Sequence, residues 1–184
     1  MSRITSGTAK GKNLIVPNIE NIRLPQDKFK LALFSILADK VKGADCLDLY
    51  AGSGSLGLDA LSRGAQSCDF VDTDRKAIDA IEKNMFDLGF TGRGEIIQDD
   101  AVKYVANTSV TYDIIFADPF FDDVKHRFLM QNMEEILNPN GVICFSHGKE
   151  LDIEDVIKNT KLEIFTTRKY NNAFLTILKA TATS

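Results

Sequence analysis

From Ala44 onward the chain alternates short apolar runs with amphipathic segments, and this alternation restricts the fold more than any other feature. The runs lie at 45–49, 68–72, 94–98, 113–117, 141–146, 162–167 and 173–178. Between them fall helical faces: Leu56 to Leu61, then Ile78, Ile81, Met85 and Leu88, then Val102 and Val105. Further on come Val124, Phe128, Met133, Ile136 and Leu137, and finally Ile153, Val156 and Ile157. Short strands of nearly continuous apolar character, separated by helices, predict a parallel sheet covered on both faces. Right-handed crossovers then gather the strand ends on one rim. Residues 168–172 carry no helical face, so the last two runs read as a hairpin with one strand antiparallel. The expected fold is α/β, a doubly wound sheet of seven mostly parallel strands.

The first run leads into Asp48-Leu49-Tyr50-Ala51-Gly52-Ser53-Gly54-Ser55-Leu56-Gly57, and a helical pattern starts at once. Glycines at such a turn let backbone N–H groups approach a ligand at the positive end of the following helix. Gly52, Gly54 and Gly57 spell G-x-G-x-x-G, with Asp72 twenty residues after Gly52. In letters this is the dinucleotide fingerprint, which implies a nucleotide-like ligand and leaves the chemistry open. Asp72, at the tip of the second run, is placed to accept both hydroxyls of a ribose, whereas Asp74 is placed to cap the helix opening at Arg75. The third run ends at Asp99-Asp100-Ala101. A carboxylate there can accept from an adenine amino group or simply cap the next helix.

The fourth run ends at Asp118-Pro119-Phe120-Phe121. Proline fixes its own φ and pushes the residue before it into an extended shape. Such a turn can aim a carboxylate and a backbone carbonyl at one point, which suits an exocyclic NH2 with two hydrogens to donate. A following aromatic ring can stack on the base that carries it. A proline turn above two core phenylalanines is the competing reading.

Ahead of the sheet, residues 2–16 read as two short strands around a Gly/Lys turn, and 17–25 as loop. Asp27 is the expected N-cap of a helix whose apolar face is Phe29, Leu33, Ile36 and Leu37. The chain therefore divides into an extension, 1–42, and a sheet domain, 43–184. Net charge is −4, but its distribution is uneven. Residues 1–42 hold eight Lys/Arg against three acids, and the remainder fourteen against twenty-three. A basic arm on an acidic body suggests contact with phosphates, against the plainer reading of a solvated surface segment. Cys46, Cys68 and Cys144 each sit in an apolar run without zinc spacing and read as buried, reduced thiols. His126 and His147 have no neighbouring ligand set, so no metal is expected. No run reaches membrane-spanning length and no signal-type core follows Met1, so the expected location is the cytoplasm.

Taken together, these residues resemble the class I S-adenosylmethionine-dependent methyltransferases of exocyclic amines, whose signature is [DN]-P-P-[FYW]. The resemblance is greatest to the bacterial guanine-N2 methyltransferases of small-subunit (16S) ribosomal RNA. It runs from Arg3 to about Leu178. Arg3-Ile4-x-x-Gly7, Gly11-Lys12-x-Leu14, Arg23-x-Pro25-x-Asp27-Lys28 and Leu33-Phe34 are similar to that family's RNA-facing extension. Asp48-x-x-Ala51-Gly52-Ser53-Gly54-x-Leu56-Gly57-x-Asp59-Ala60-Leu61-Ser62-Arg63-Gly64-Ala65 resembles its glycine loop and helix. Phe120 stands where the family has a second proline. Gln26, Lys28, Lys30 and Leu31 stand where it usually has Thr, Arg, Arg and Glu, and Asn171-Asn172 replaces Gly-Asp.

The resemblance implies a Rossmann-like methyltransferase sheet with a β-hairpin and helix extension, acting as a monomer on small-subunit ribosomal RNA without a metal. It implies S-adenosylmethionine over Tyr50, Ala51, Gly52, Ser53 and Gly54, with ribose at Asp72 and Thr73 and adenine at Asp100 and Ala101. Asp48 would order the loop and, through water, the cofactor's amino group. Asp118, Pro119 and Phe121 would hold the target guanine, flipped from its stack. Arg3, Lys10, Lys12, Arg23, Lys28 and Lys30 would hold the RNA backbone. Three alternatives stay open: an adenine-N6 or other amino methyltransferase on nucleic acid, an NAD-dependent oxidoreductase, and a non-catalytic RNA-binding protein on the same fold. The oxidoreductase has no substrate domain and no evident hydride-site set to support it.

Overall fold

The structure, a computed structural model, describes residues 2–20, 22, 24–119, 125–170 and 173–181. Strands β1 (Ser2–Arg3) and β2 (Asn13–Leu14) form a small antiparallel hairpin, and helix α1 (Asp27–Leu37) follows, ending in a 3-10 turn at Ala38–Val41. Then come β3 (Asp45–Leu49), α2 (Ser55–Ser62), β4 (Ser67–Asp72), α3 (Arg75–Leu88), β5 (Ile96–Gln98) and α4 (Ala101–Asn107). The chain continues through β6 (Tyr112–Ala117), α5 (His126–Glu135), β7 (Leu137–Gly148), α6 (Ile153–Ile157), β8 (Leu162–Tyr170) and β9 (Ala173–Ala180).

The large sheet has the order β5-β4-β3-β6-β7-β9-β8, and β9 alone runs antiparallel to its neighbours. Its strands alternate strictly between two cores. Cys46, Ile114, Phe116, Cys144, Leu175 and Ile177 face one side, with α1, α2, α3 and the small hairpin. Leu47, Leu49, Ile115, Ala117, Ile143, Phe145 and Leu178 face the other, with α4, α5 and α6. Ile4, Ala9, Leu14, Leu33, Phe34 and Leu37 of the extension join the first core, so the extension is packed onto the sheet by apolar burial. The three thiols are buried and free, and burial pushes those of Cys68 and Cys144 well up.

Four local expectations need correction. Gln26, not Asp27, occupies the N-cap of α1 and makes no side-chain cap; Asp27 is the first helical residue, and its carboxylate accepts from Arg3 Nε at 2.6 Å. In α5 the buried face is Leu129, Met130 and Met133, while Phe128 is 50% exposed. The helix starts at His126 and stops at Glu135, so Ile136 is its C-cap and Leu137 already belongs to β7; Val124 lies outside the described residues. β7 is also longer than the apolar run 141–146, because Leu137 pairs with Tyr112 before the register shifts. The third run shortens to β5: Gly94 has φ 137°, and although Cys68 N donates to Arg93 O, Glu95 N donates to the Asp69 carboxylate at 2.8 Å in place of a β4 carbonyl.

Candidate active site

The strand order reverses between β3 and β6, the one place where crossovers leave in opposite directions and open a crevice at the strand ends. Leu49 is level with Ala117 across that pair, so the glycine turn and Asp118-Pro119 leave the sheet side by side. A cavity of about 340 Å³ lies there, lined by Tyr50, Gly52, Val71, Asp72, Thr73, Asp74, Asp99, Asp100, Ala101 and Asp118, together with Ile19 and Ile22. That volume suits a nucleoside-sized ligand.

The turn is built from strained and tightly held backbone. Tyr50 has φ 59°, a left-handed conformation costly for a bulky side chain, and Gly52 and Gly54 have φ 56° and 73°. Gly54 is the N-cap of α2. Asp72 Oδ2 accepts from Gly52 N at 2.8 Å while its Oδ1 accepts from Asp74 N at 2.9 Å. Each oxygen keeps a lone pair, so the carboxylate can fix the turn and accept from a vicinal diol together. Gly57 lies against the sheet: a Cβ there would meet a Phe70 ring carbon at 2.4 Å and Cys68 Sγ at 2.5 Å, so its role is close helix–strand packing.

Asp48 lies beneath the turn, 3% exposed, and accepts from Gly57 N at 2.8 Å. Burial pushes its carboxyl up to about 8, with the charges of Asp118 and Asp72 adding to the effect and the Gly57 N–H opposing it. The raised value favours the neutral carboxyl near neutral pH, and a cation arriving beside the turn would favour the charged form, the proton passing to solvent. Asp74 caps α3 by accepting from Lys76 N at 2.8 Å, and Asp100 caps α4 by accepting from Lys103 N at 2.9 Å.

Of the expected cofactor residues, Tyr50, Gly52, Asp72, Thr73, Asp100 and Ala101 line the cavity, and Asp118 joins them. Asp48, Ala51, Ser53 and Gly54 sit behind it as buried support. Pro119 is buried next to Asp118, and Phe121 and Arg23 lie outside the described residues. Five carboxylates line the cavity, and among the described residues no Lys, Arg or His does. That lining suits a ligand bearing a cation and a diol and opposes the pyrophosphate of a dinucleotide. Ile19, Ile22, Tyr50, Val71 and Ala101 supply apolar walls for a purine.

The expected RNA-facing residues do not form one patch. Lys30 is 0% exposed: its Nζ donates to Arg3 O and to Ser55 Oγ (2.9 Å) and pairs with Asp59 at 3.0 Å. It is a structural lysine and, contrary to expectation, is not available to RNA. The reason is position: residue 30 falls on the buried face of α1, between Phe29 and Leu33, where only a paired charge is tolerated. Lys10 and Lys12 are exposed near the hairpin tip, whose Thr8 and Ala9 bond Ser62 at the far end of α2. Arg3 and Lys28 are exposed beside the rim, where Ser2 and Lys30 reach Ser55.

Two cations that charge counting over 1–42 overlooks lie nearby. β7 and β9 pair Gly148 with Ala173, and Ala173 pairs with Tyr170, so the exposed Arg168 and Lys169 reach the same rim. Tyr170 meets Phe29 edge to face at 5.2 Å, joining that hairpin to α1. The hairpin itself was readable from sequence, but its placement depends on β9 inserting between β7 and β8. Ile19 and Ile22 were also missed, since a stretch without periodicity gives no sign of what it covers.

Known proteins with related sequences or folds agree with this geometry. A family model described as conserved hypothetical protein 95 matches residues 2–179. Ribosomal RNA small subunit methyltransferase D of Escherichia coli strain K12 is 34% identical over 139 residues, covering 76% of this chain and 68% of that protein. Among solved structures, the "Putative methyltransferase yhhF from Escherichia coli" superposes with a TM-score of 0.85 at 25% identity, over 98% of both chains. The "Crystal structure of SMU.776, a putative methyltransferase complexed with SAH" shares the fold at a TM-score of 0.72 and 19% identity, over 86% of this chain and 50% of that one. Among the described residues no group of His, Cys, Asp and Glu could hold a metal, and no helix is long and apolar enough to cross a membrane. The chain therefore belongs to the conserved hypothetical protein 95 family and is a relative of the bacterial small-subunit ribosomal RNA methyltransferases.

Proposed function

We propose that the chain is an S-adenosylmethionine-dependent methyltransferase acting on the exocyclic N2 amine of a guanine in small-subunit ribosomal RNA. The observation that carries this reading is one cavity shared by the glycine turn, Asp72 and Asp118, held together by the Leu49–Ala117 register. When bound, S-adenosylmethionine supplies an electrophilic methyl group on a positively charged sulfur. Its ribose diol would be accepted by Asp72, its adenine held by Asp100, Ala101 and the apolar walls, and its cationic groups balanced by the acidic lining.

A guanine N2 lone pair is delocalised into the ring and is a poor nucleophile. The Asp118 carboxylate and the Pro119 carbonyl accept its two hydrogens and turn the lone pair out of conjugation. Asp118 would also take the proton that the amine loses. The contribution of these groups is mainly positioning, worth up to about 7–11 kcal/mol of barrier in well-oriented systems. Phe121 would stack on the base. Arg3, Lys10, Lys12, Arg23 and Lys28 would follow the RNA backbone, a salt-sensitive contribution, with Arg168 and Lys169 on the same rim as Arg3.

Asp118→Ala is the direct test. Transfer of labelled methyl to ribosomal RNA should fall by about 10²–10⁴-fold, the range of a positioned acid–base group, while calorimetric binding of S-adenosylhomocysteine stays within a few-fold of the parent. Full activity in the variant would remove the role given to Asp118. Binding of NADH in place of S-adenosylhomocysteine would overturn the cofactor.

A further inference from the structure

The extension does more at the cavity than carry basic residues past it. Ile19 and Ile22 line it although they precede every strand-end residue in sequence, and Ile22 Cδ1 lies 3.6 Å from where a Cβ on Gly52 would stand. The segment that carries them is tied to the glycine turn by the side chain of Asn84. Asn84 of α3 is 2% exposed; its Oδ1 accepts from Ile15 N at 2.7 Å, and its Nδ2 donates to Ile15 O at 3.0 Å and to Ser53 O at 3.1 Å. Lys76 Nζ of the same helix donates to Asn18 O at 3.0 Å. Residues 15–20 and 22 thus form a strap fastened at its start to the glycine turn, with Ile19 and Ile22 lining the cavity.

We propose that this strap is part of the methyl-donor site, with Ile19 and Ile22 as binding residues and Asn84 as the positioning residue that ties the strap to the glycine turn. The inference rests on the reading of the cavity as an S-adenosylmethionine site. Apolar side chains on a strap give a purine or thioether ligand a wall that excludes water, and the ligand in turn gives the strap a surface to pack on. Ligand binding and strap order therefore stabilise each other, by equal free energies in the two directions. The asparagine suits the task because one amide can satisfy both backbone groups of Ile15 and still donate to the turn.

S-Adenosylhomocysteine is the probe, used with the full chain. The double variant Ile19→Ala/Ile22→Ala should bind it roughly tenfold or more weakly by calorimetry, with the melting temperature of the unliganded protein unchanged. In the parent, the ligand should slow amide hydrogen exchange across 15–22. Asn84→Asp keeps the acceptor for Ile15 N but loses both donated bonds; ligand-dependent protection of 15–22 should disappear while protection of the β3 and β4 strands persists. Parent-like affinity in the double variant, or no slowing of exchange in the parent at saturating ligand, overturns the proposal. Failure of the parent to bind the ligand at all overturns the cofactor reading beneath it, a result distinct from either.

Discussion

At the level of single residues, buried Lys30 and Asp48 lend themselves to direct stability tests. Lys30 is held in the first core by Asp59, Ser55 and the Arg3 carbonyl, and Asp59 also accepts from Thr5 and from Arg63 Nε. Removing one partner of a buried pair typically costs about 3–5 kcal/mol, because the other charge stays buried. Thr5 and Arg63 still serve Asp59, so Lys30→Met should cost about 3 kcal/mol in urea denaturation, the low end of that range. RNA affinity of the folded fraction should be unaffected; a loss of RNA binding without a loss of stability would restore Lys30 to the RNA surface. Its burial was not legible in the sequence, where a lysine in a basic run looks solvated and its partner lies far along the chain.

Asp48 carries the pH dependence. Its folded value, about 8, lies above the ordinary carboxyl value of 3.8, so the folded state binds the proton more tightly than the unfolded chain. The stabilisation is therefore complete below the unfolded value and is lost as pH rises towards 8. His147, held below its ordinary value by burial, gives the opposite slope at lower pH, so the comparison must be between variants. Asp48→Asn should match the parent's melting temperature more closely at pH 5 than at pH 8, where the variant gains relative to it. A constant difference across that range would contradict a raised Asp48. The sequence placed Asp48 at the loop, but not its depth, which follows from β3 being central in the sheet.

Among the elements, α2 shows how tightly the turn is set. Gly57 faces β4 with no room for a methyl group, so Gly57→Ala must push α2 off Phe70 and Cys68. Overpacking of this kind costs about 1–3 kcal/mol, and the shift would also move the turn that lines the cavity. Lower thermal stability together with weaker S-adenosylhomocysteine binding is expected; an alanine variant as stable as the parent would show that α2 has slack. The sheet's strands and most of its helices were legible because period-2 and period-3.6 patterns survive in them. Asp72 and Asp118 were legible because a fold of this type exposes its strand ends. α5 was misread because Ile136 and Leu137 continue the apolar spacing after the helix has stopped. The strap at 15–22 left no trace, since its order comes from Asn84 and α3 rather than from its own sequence.

For the whole molecule, an acidic body and a basic leading segment resolve into two separate surfaces. The cavity is lined by five carboxylates, whereas Arg3, Lys28, Arg168 and Lys169 are exposed at the strand-end edge of the sheet and Lys10 and Lys12 stand further down the small hairpin. That separation suits an enzyme that keeps phosphates on its edge and admits only a base and a cationic methyl donor to its centre. The most direct test incubates the purified chain with isotope-labelled S-adenosylmethionine and small-subunit ribosomal RNA lacking its native methyl groups, followed by nucleoside mass spectrometry. The predicted result is label in N2-methylguanosine at a single site. Label in N6-methyladenosine, or no incorporation with folded, cofactor-bound protein, would contradict it.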